Sequence, residues 1–103
     1  MRHRHTPDDI IKIKTDVSPV AFYRYELPHM PTPKRGGWVD GGLCPFHSDK
    51  KIGSFKVNLA SGAFKCHSCG IGGGDVIDFL RERDGYGFSD AIATLQNTWG
   101  INL

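Results

Sequence analysis

The pattern of hydrophobic and polar positions divides this 103-residue chain into three parts: short helices, alternating strands and two amphipathic helices. Two helix-start signals come first, because Thr6-Pro7-Asp8-Asp9 and Ser18-Pro19 each place a capping hydroxyl before a proline at the first helical position. Three prolines between positions 28 and 33 then interrupt any helix. We therefore predict two short helices and an irregular connection in residues 1–33.

The central part, residues 34–70, has the period of two that is typical of half-buried strands. Trp38-Val39-Asp40 lies between glycine pairs and predicts a short first strand. Residues 54–58 and 63–66 alternate and predict a hairpin that pairs Val57 with Phe64.

This register gives the hairpin two different faces, because side chains on a strand point alternately to opposite sides of the sheet. Four side chains share one face, which we expect to be the core and metal side: Phe55, Val57, Phe64 and Cys66. Lys56 and Lys65 lie together on the other face, which we expect to be basic.

Helical spacing returns in residues 71–103. Gly72-Gly73-Gly74 ends the strand region, Asp75 is a good N-cap, and the apolar stripe that follows predicts a helix that stops at Asp84-Gly85. Ser89 is predicted to cap a last helix, which ends at Gly100. We predict a single α+β domain over residues 1–103, in which short helices flank a small antiparallel β-sheet.

Composition fits a small, loop-rich domain with one modest core: 39% of the residues are hydrophobic, and there are thirteen glycines and six prolines. No apolar run approaches the roughly 18 residues of a transmembrane helix. An odd number of cysteines without a secretory leader argues against disulfides, so we expect a cytoplasmic protein without a membrane partner. Residues 34–65 carry six lysines and arginines against two acids, whereas residues 66–103 carry two against five.

Two pairs of metal-ligating residues are the strongest chemical signal. Cys44-Pro45-Phe46-His47 and Cys66-His67-Ser68-Cys69 each hold two ligands separated by two residues, and the predicted hairpin brings the pairs together. Tetrahedral Zn²⁺ is bound by such an arrangement, with Cys44, His47, Cys66 and Cys69 as ligands. Four protein ligands leave no open position for chemistry, so we predict one structural Zn²⁺, on which folding depends.

Other interpretations of these motifs are weaker. Three buried structural thiols would not explain the ligand spacing, and His67 lies beside Cys66, where its side chain should point away from the metal. The glycine-rich run 70–74 resembles a phosphate cradle but lacks the surrounding motif, so turn chemistry explains it better. Asp75 and Asp78 are better explained as helix-start acids than as Mg²⁺ ligands. We expect no catalytic residue and no catalytic activity from this chain alone.

The same motifs resemble the N-terminal zinc-binding domain of bacterial DnaG-type DNA primases and of their phage and plasmid relatives. The resemblance rests on Leu43-Cys44-Pro45-Phe46-His47, on residues 54–57 and 62–66, and on Cys69-Gly70 followed by the segment 73–79. It implies a zinc ribbon that engages single-stranded template DNA and helps to select where RNA primers start in DNA replication. It also implies a separate TOPRIM-containing polymerase domain in cis or in trans, and possible contact with a replicative helicase.

Two departures from the chromosomal pattern are more typical of phage or plasmid relatives. Residues 50–55 form a segment that is one residue longer than usual and has no proline, and the loop after Cys69 is also one residue longer. The chain ends where the polymerase domain of the family would begin, which leaves an excised domain and a free-standing small protein as alternatives.

Basic residues and one aromatic residue could bind nucleic acid, since lysines follow phosphates and an aromatic ring can stack on a base. The residues predicted to contact DNA are Lys34, Arg35, Trp38, Lys50, Lys51, Lys56 and Lys65. Core packing is the alternative for Trp38, and a solvated surface is the alternative for each lysine. A different function also stays open, in which the chain is a zinc-stapled protein-interaction adaptor of a mobile element that docks through its acidic C-terminal helices.

Overall fold

The computed structural model describes residues 6–48 and 53–103. The elements follow in the order α1 (Pro7–Asp16), α2 (Pro19–Glu26), β1 (Trp38–Asp40), β2 (Phe55–Asn58), β3 (Phe64–Cys66), β4 (Gly72–Gly73), α3 (Val76–Asp84) and α4 (Phe88–Trp99). The α+β class predicted from the sequence is confirmed. Within the described residues, no helix is both long and apolar enough to cross a membrane.

Side-chain caps begin the first two helices, as predicted. Thr6 and Asp9 form a reciprocal capping box, in which Thr6 Oγ1 accepts from the Asp9 N–H at 3.2 Å and Asp9 Oδ2 accepts from the Thr6 N–H at 3.0 Å. Ser18 Oγ accepts from the Ala21 N–H at 3.4 Å. The proline-containing segment that follows α2 has no helix or strand.

The strands form one antiparallel sheet in the order β1-β2-β3-β4. Val57 pairs with Phe64, Lys56 with Lys65 and Phe55 with Cys66, so the predicted hairpin register is confirmed.

The edge strand β4 differs from the sequence prediction, which treated its glycines only as a turn. Gly73 pairs with Phe64, and a Cβ atom at Gly73 would lie 2.7 Å from both the Phe64 ring and the Asp78 Cβ. A glycine is needed here because the chain passes so close to the aromatic ring.

Asp75 begins α3 by accepting from the Asp78 N–H at 2.9 Å, and Gly85 ends it. The predicted cap of α4 is wrong by two positions. Gly87 is the N-cap and makes no side-chain hydrogen bond, so Ser89 lies inside the first turn. A start at Phe88 places that aromatic side chain in the helix and against the core.

The helices cover the inner face of the sheet through a cluster of aromatic rings. Phe79 of α3 is fully buried and meets the ring of Phe22 at 5.6 Å, of Tyr23 at 5.3 Å and of Phe64 at 5.5 Å, in edge-on geometry. Trp99 is partly buried at the margin of this cluster, 6.4 Å from the Phe22 ring.

Helix α2 is joined to the hairpin by a buried polar contact and to α3 by a partly buried ion pair. The Tyr23 hydroxyl donates to the Gly62 carbonyl at the tip of the β2–β3 hairpin. Burial raises the pKa of Tyr23, and the charges of Asp75 and Asp78 add to the shift, so the phenol remains a donor. Arg83 of α3 forms an ion pair with Glu26 of α2, with 2.7 Å between Arg83 Nη2 and Glu26 Oε1.

Candidate functional site

Two turns of similar construction carry the four predicted zinc ligands. Cys44 and His47 lie in the loop after β1, and Cys66 is the last residue of β3, with Cys69 in the following turn. In the first turn the Phe46 N–H donates to Cys44 Sγ at 3.4 Å, and in the second the Cys69 N–H donates to Cys66 Sγ at 3.5 Å. Backbone donors aimed at a sulfur stabilise a thiolate, which is the form that binds metal.

The ligand atoms of these four residues lie within 4.8 Å of one another. Cys44 Sγ is 3.9 Å from Cys69 Sγ, and Cys66 Sγ is 3.9 Å from His47 Nδ1. Zn–S bonds of about 2.3 Å in a tetrahedron separate two sulfurs by about 3.8 Å. The cluster therefore fits one structural Zn²⁺ that has three sulfur ligands and one nitrogen ligand.

The cysteines of the cluster differ in how readily they lose a proton. Burial raises the pKa of the Cys44 thiol to about 12, although the Phe46 N–H acts against the shift. Burial also acts to raise the pKa of Cys66, but backbone donation from Cys69 and Ser68, together with hydrogen bonds from the Cys44 and Cys69 side chains, outweighs it, so the pKa of Cys66 is lowered. Zn²⁺ would displace the remaining protons, since thiolates are its ligands.

Phe46 connects the first ligand turn to the core. Its ring stacks on Phe64 at 5.6 Å and meets the rings of Phe55 at 5.9 Å and Phe79 at 5.7 Å. Because Phe46 stands between Cys44 and His47, this packing fixes the position of the turn.

The outer face of the sheet carries the predicted basic residues. Lys56 and Lys65 are opposite each other on β2 and β3, and Lys65 is exposed. Lys65 Nζ donates to the Gly70 carbonyl at 3.0 Å, which joins the basic face to the second ligand turn. Trp38 is 47% exposed, so core packing, the alternative for this residue, is excluded.

Within the part of the chain that the structure describes, two cavities lie on this face. The first, of about 380 Å³, is lined by Arg35, Trp38, Lys56, Lys65 and His67. The second, of about 220 Å³, is lined by residues 31–35, Val39, Asp40 and Lys56, and it contains Lys34. Arg35 and Lys56 line both cavities, so the two lie side by side, and together they are called the groove below.

The structure brings together five of the seven residues predicted to contact DNA: Lys34, Arg35, Trp38, Lys56 and Lys65. Lys50 and Lys51 lie outside the described residues.

Sequence reasoning considered His67 only as a competing zinc ligand. His67 is exposed and is not in the metal cluster, as predicted, but it lines the first cavity. The alternation of β3 could have found it, because Cys66 points inward and the next residue must point outward.

Comparisons with known proteins agree with this site. The CHC2 zinc finger family, a zinc ribbon of DnaG type, matches residues 9–103. The DNA primase of Streptomyces coelicolor is 36% identical over 96 residues, which are 93% of this chain and 14% of that protein. The DNA primase of Lactococcus lactis is 45% identical over 62 residues, which are 60% of this chain and 9% of that protein.

A solved structure is also similar. The crystal structure of the Aquifex aeolicus primase, with its zinc binding and RNA polymerase domains, matches with a TM-score of 0.70 and 28% identity, covering 92% of this chain and 22% of that chain. This chain thus spans less than a quarter of the length of each of these relatives. On this evidence the chain belongs to the CHC2 zinc finger family, the zinc-binding domain of DNA primases.

Proposed function

We propose that the outer face of the sheet binds single-stranded template DNA, and that the chain supports the initiation of RNA primers in this way. The groove formed by the two cavities carries this proposal, because it combines an exposed aromatic ring with a row of positive charges. Single-strand binders use this combination: cationic side chains follow the phosphates, and aromatic rings stack on bases whatever the sequence.

The residues divide between these two tasks. Arg35, Lys56 and Lys65 surround the first cavity and supply positive charge for phosphates, while Trp38 and His67 offer ring faces for a base. Lys34 extends the positive charge into the second cavity.

Zinc serves this function structurally. Cys44, His47, Cys66 and Cys69 would complete a tetrahedron, so no coordination position remains for substrate. Cys66 ends the strand that carries Lys65, so the ion holds one end of the binding face. We expect no primer synthesis by this chain alone.

A separate polymerase domain, in cis or in trans, would carry out primer synthesis. The similar Aquifex chain contains both zinc binding and RNA polymerase domains, and this supports the proposed partnership. Contact with a replicative helicase remains a prediction.

Fluorescence anisotropy with a labelled single-stranded oligonucleotide tests the proposal. We expect salt-dependent binding by the zinc-loaded chain. Each lost phosphate contact lowers the slope of log affinity against log salt concentration by about 0.7. The double substitution Lys56→Glu/Lys65→Glu should therefore reduce this slope by at least about 1.4. Trp38→Ala should weaken binding roughly 5- to 150-fold through lost stacking.

The matched control is Lys12→Glu/Arg24→Glu, which changes the net charge equally on exposed positions of α1 and α2. At saturating zinc, the zinc content and the far-ultraviolet spectrum should remain unchanged in both double variants. Equal losses of affinity in the two would show that net charge alone governs binding. No binding by the unmodified chain at moderate salt would contradict the proposal and favour the adaptor alternative, which predicts co-purification with a protein partner.

A further inference from the structure

One acid interrupts the basic outer face. Asp40 is the last residue of β1, lies opposite Lys56 of β2 and lines the second cavity together with Lys34 and Arg35. A carboxylate repels phosphate, so it weakens the electrostatic attraction on which the groove depends. Binding of the DNA phosphate backbone therefore does not explain an acidic residue at position 40.

The loop that leads to the first zinc ligand explains why residue 40 has a side-chain oxygen, but not why that side chain is charged. Its Oδ1 accepts from the Gly42 N–H at 3.3 Å, two residues along the chain, which is an Asx-type turn. Within the described residues, this is the only hydrogen bond of the Asp40 side chain, and its second oxygen accepts none. An asparagine would make the same turn, so the turn does not require the charge.

The groove places Asp40 at a fixed position relative to the stacking residues. Trp38 and His67 line one cavity, Asp40 lines the other, and Arg35 and Lys56 line both. Consider a DNA strand in which one base stacks on Trp38 and the phosphates contact Arg35 and Lys56. The neighbouring base of that DNA strand would then lie near Asp40.

We propose that Asp40 is a specificity-determining residue that accepts a hydrogen bond from the exocyclic amino group of a template base. This inference rests on the proposed binding of single-stranded DNA. Cytosine, adenine and guanine carry such an amino group and thymine carries none, so the groove discriminates against thymine at this position. A carboxylate is suited to this task because it only accepts hydrogen bonds, as in the pairing of Asp or Glu with cytosine N4.

Three homopolymers of equal length, made of deoxycytidine, thymidine or deoxyuridine, test the inference in the anisotropy assay with the zinc-loaded chain. The three bases are pyrimidines of similar size, and deoxyuridine lacks both the amino group and the methyl group. We expect the cytosine polymer to bind roughly tenfold more tightly than the other two, which should bind alike. Equal affinity for all three would overturn the inference but leave the proposed function intact, whereas no binding to any would overturn both.

Asp40→Asn separates base reading from simple repulsion. The amide oxygen can keep the turn, but the remaining NH₂ group only donates. Affinity for the thymidine and deoxyuridine polymers should rise because a negative charge is lost. The cytosine polymer also loses its hydrogen bond, so the ratio of cytosine to uracil affinity should fall to about one. Asp8→Asn, an exposed acid in the first turn of α1, should leave this ratio unchanged. An Asp40→Asn protein that gains affinity equally for all three polymers, and so keeps the ratio, would show that Asp40 acts only through its charge.

Discussion

Truncation of Phe46 to alanine tests whether the aromatic core and the metal site form one cooperative unit. The ring contacts three buried aromatic residues at centroid distances of 5.6 to 5.9 Å. A fully buried Phe→Ala change costs about 3–5 kcal/mol, and Phe46 is only partly buried. We therefore expect a loss of about 2–3 kcal/mol in the free energy of unfolding of the zinc-loaded protein.

The same loss should appear in the apparent affinity for zinc, although all four ligands remain. Metal binding and folding are coupled in small zinc domains, so a destabilised fold binds its metal less tightly. At about 1.4 kcal/mol for each factor of ten, we expect zinc binding to weaken roughly 30- to 150-fold. Competition with a chromogenic chelator measures this directly.

Tyr25→Ala is the matched control, because Tyr25 is 68% exposed and, among the residues that the structure describes, has a single ring contact, with Trp99 at 6.0 Å. This change should leave zinc affinity within about threefold of the original, since little packing is lost. If Phe46→Ala lowered the melting temperature but left zinc affinity within the same limit, the ligand turns would hold their geometry independently of the core, and our reasoning would be wrong.

Two further substitutions test the metal site and the edge strand. Cys66→Ser should abolish stoichiometric zinc binding, measured by metal analysis, and cooperative unfolding, measured by thermal denaturation. Ser68→Ala in the same turn should retain both. A folded, zinc-loaded Cys66→Ser protein would exclude the site. Gly73→Ala should lower the free energy of unfolding by about 1–3 kcal/mol in denaturant titrations, because the added Cβ would lie 2.7 Å from a buried ring. Gly74→Ala meets only an ordinary contact at 3.8 Å, so an equal effect of the two changes would argue against this steric explanation.

The hairpin and the ligand turns were predictable because their signals are local. Alternating hydrophobic residues specify a strand register strongly when one face is buried, and this is why the pairing of Val57 with Phe64 followed from the sequence. The spacing of Cys44, His47, Cys66 and Cys69 similarly follows from the geometry of a tetrahedral ion.

Other features depend on packing between distant parts of the chain. Gly72 and Gly73 carry no side-chain pattern, so a strand made of them is invisible until the neighbouring β3 is in place. The start of α4 was misjudged because a serine is a better side-chain cap than the glycine that the fold uses. For Trp38, the short strand did not reveal which face would be covered by helices, and only the assembled core leaves this ring outside.

If the groove binds template as we propose, the hydrogen bond from Lys65 to the Gly70 carbonyl would couple metal retention to template binding. One ammonium group belongs both to the groove and to the turn that carries Cys66 and Cys69, and it keeps two further donors for phosphate. If zinc orders this turn and thereby strengthens the binding of a DNA strand, linkage requires that the bound strand strengthen zinc binding by the same coupling free energy. A chain with bound template would then hold its metal more tightly against cellular chelators than a chain without it.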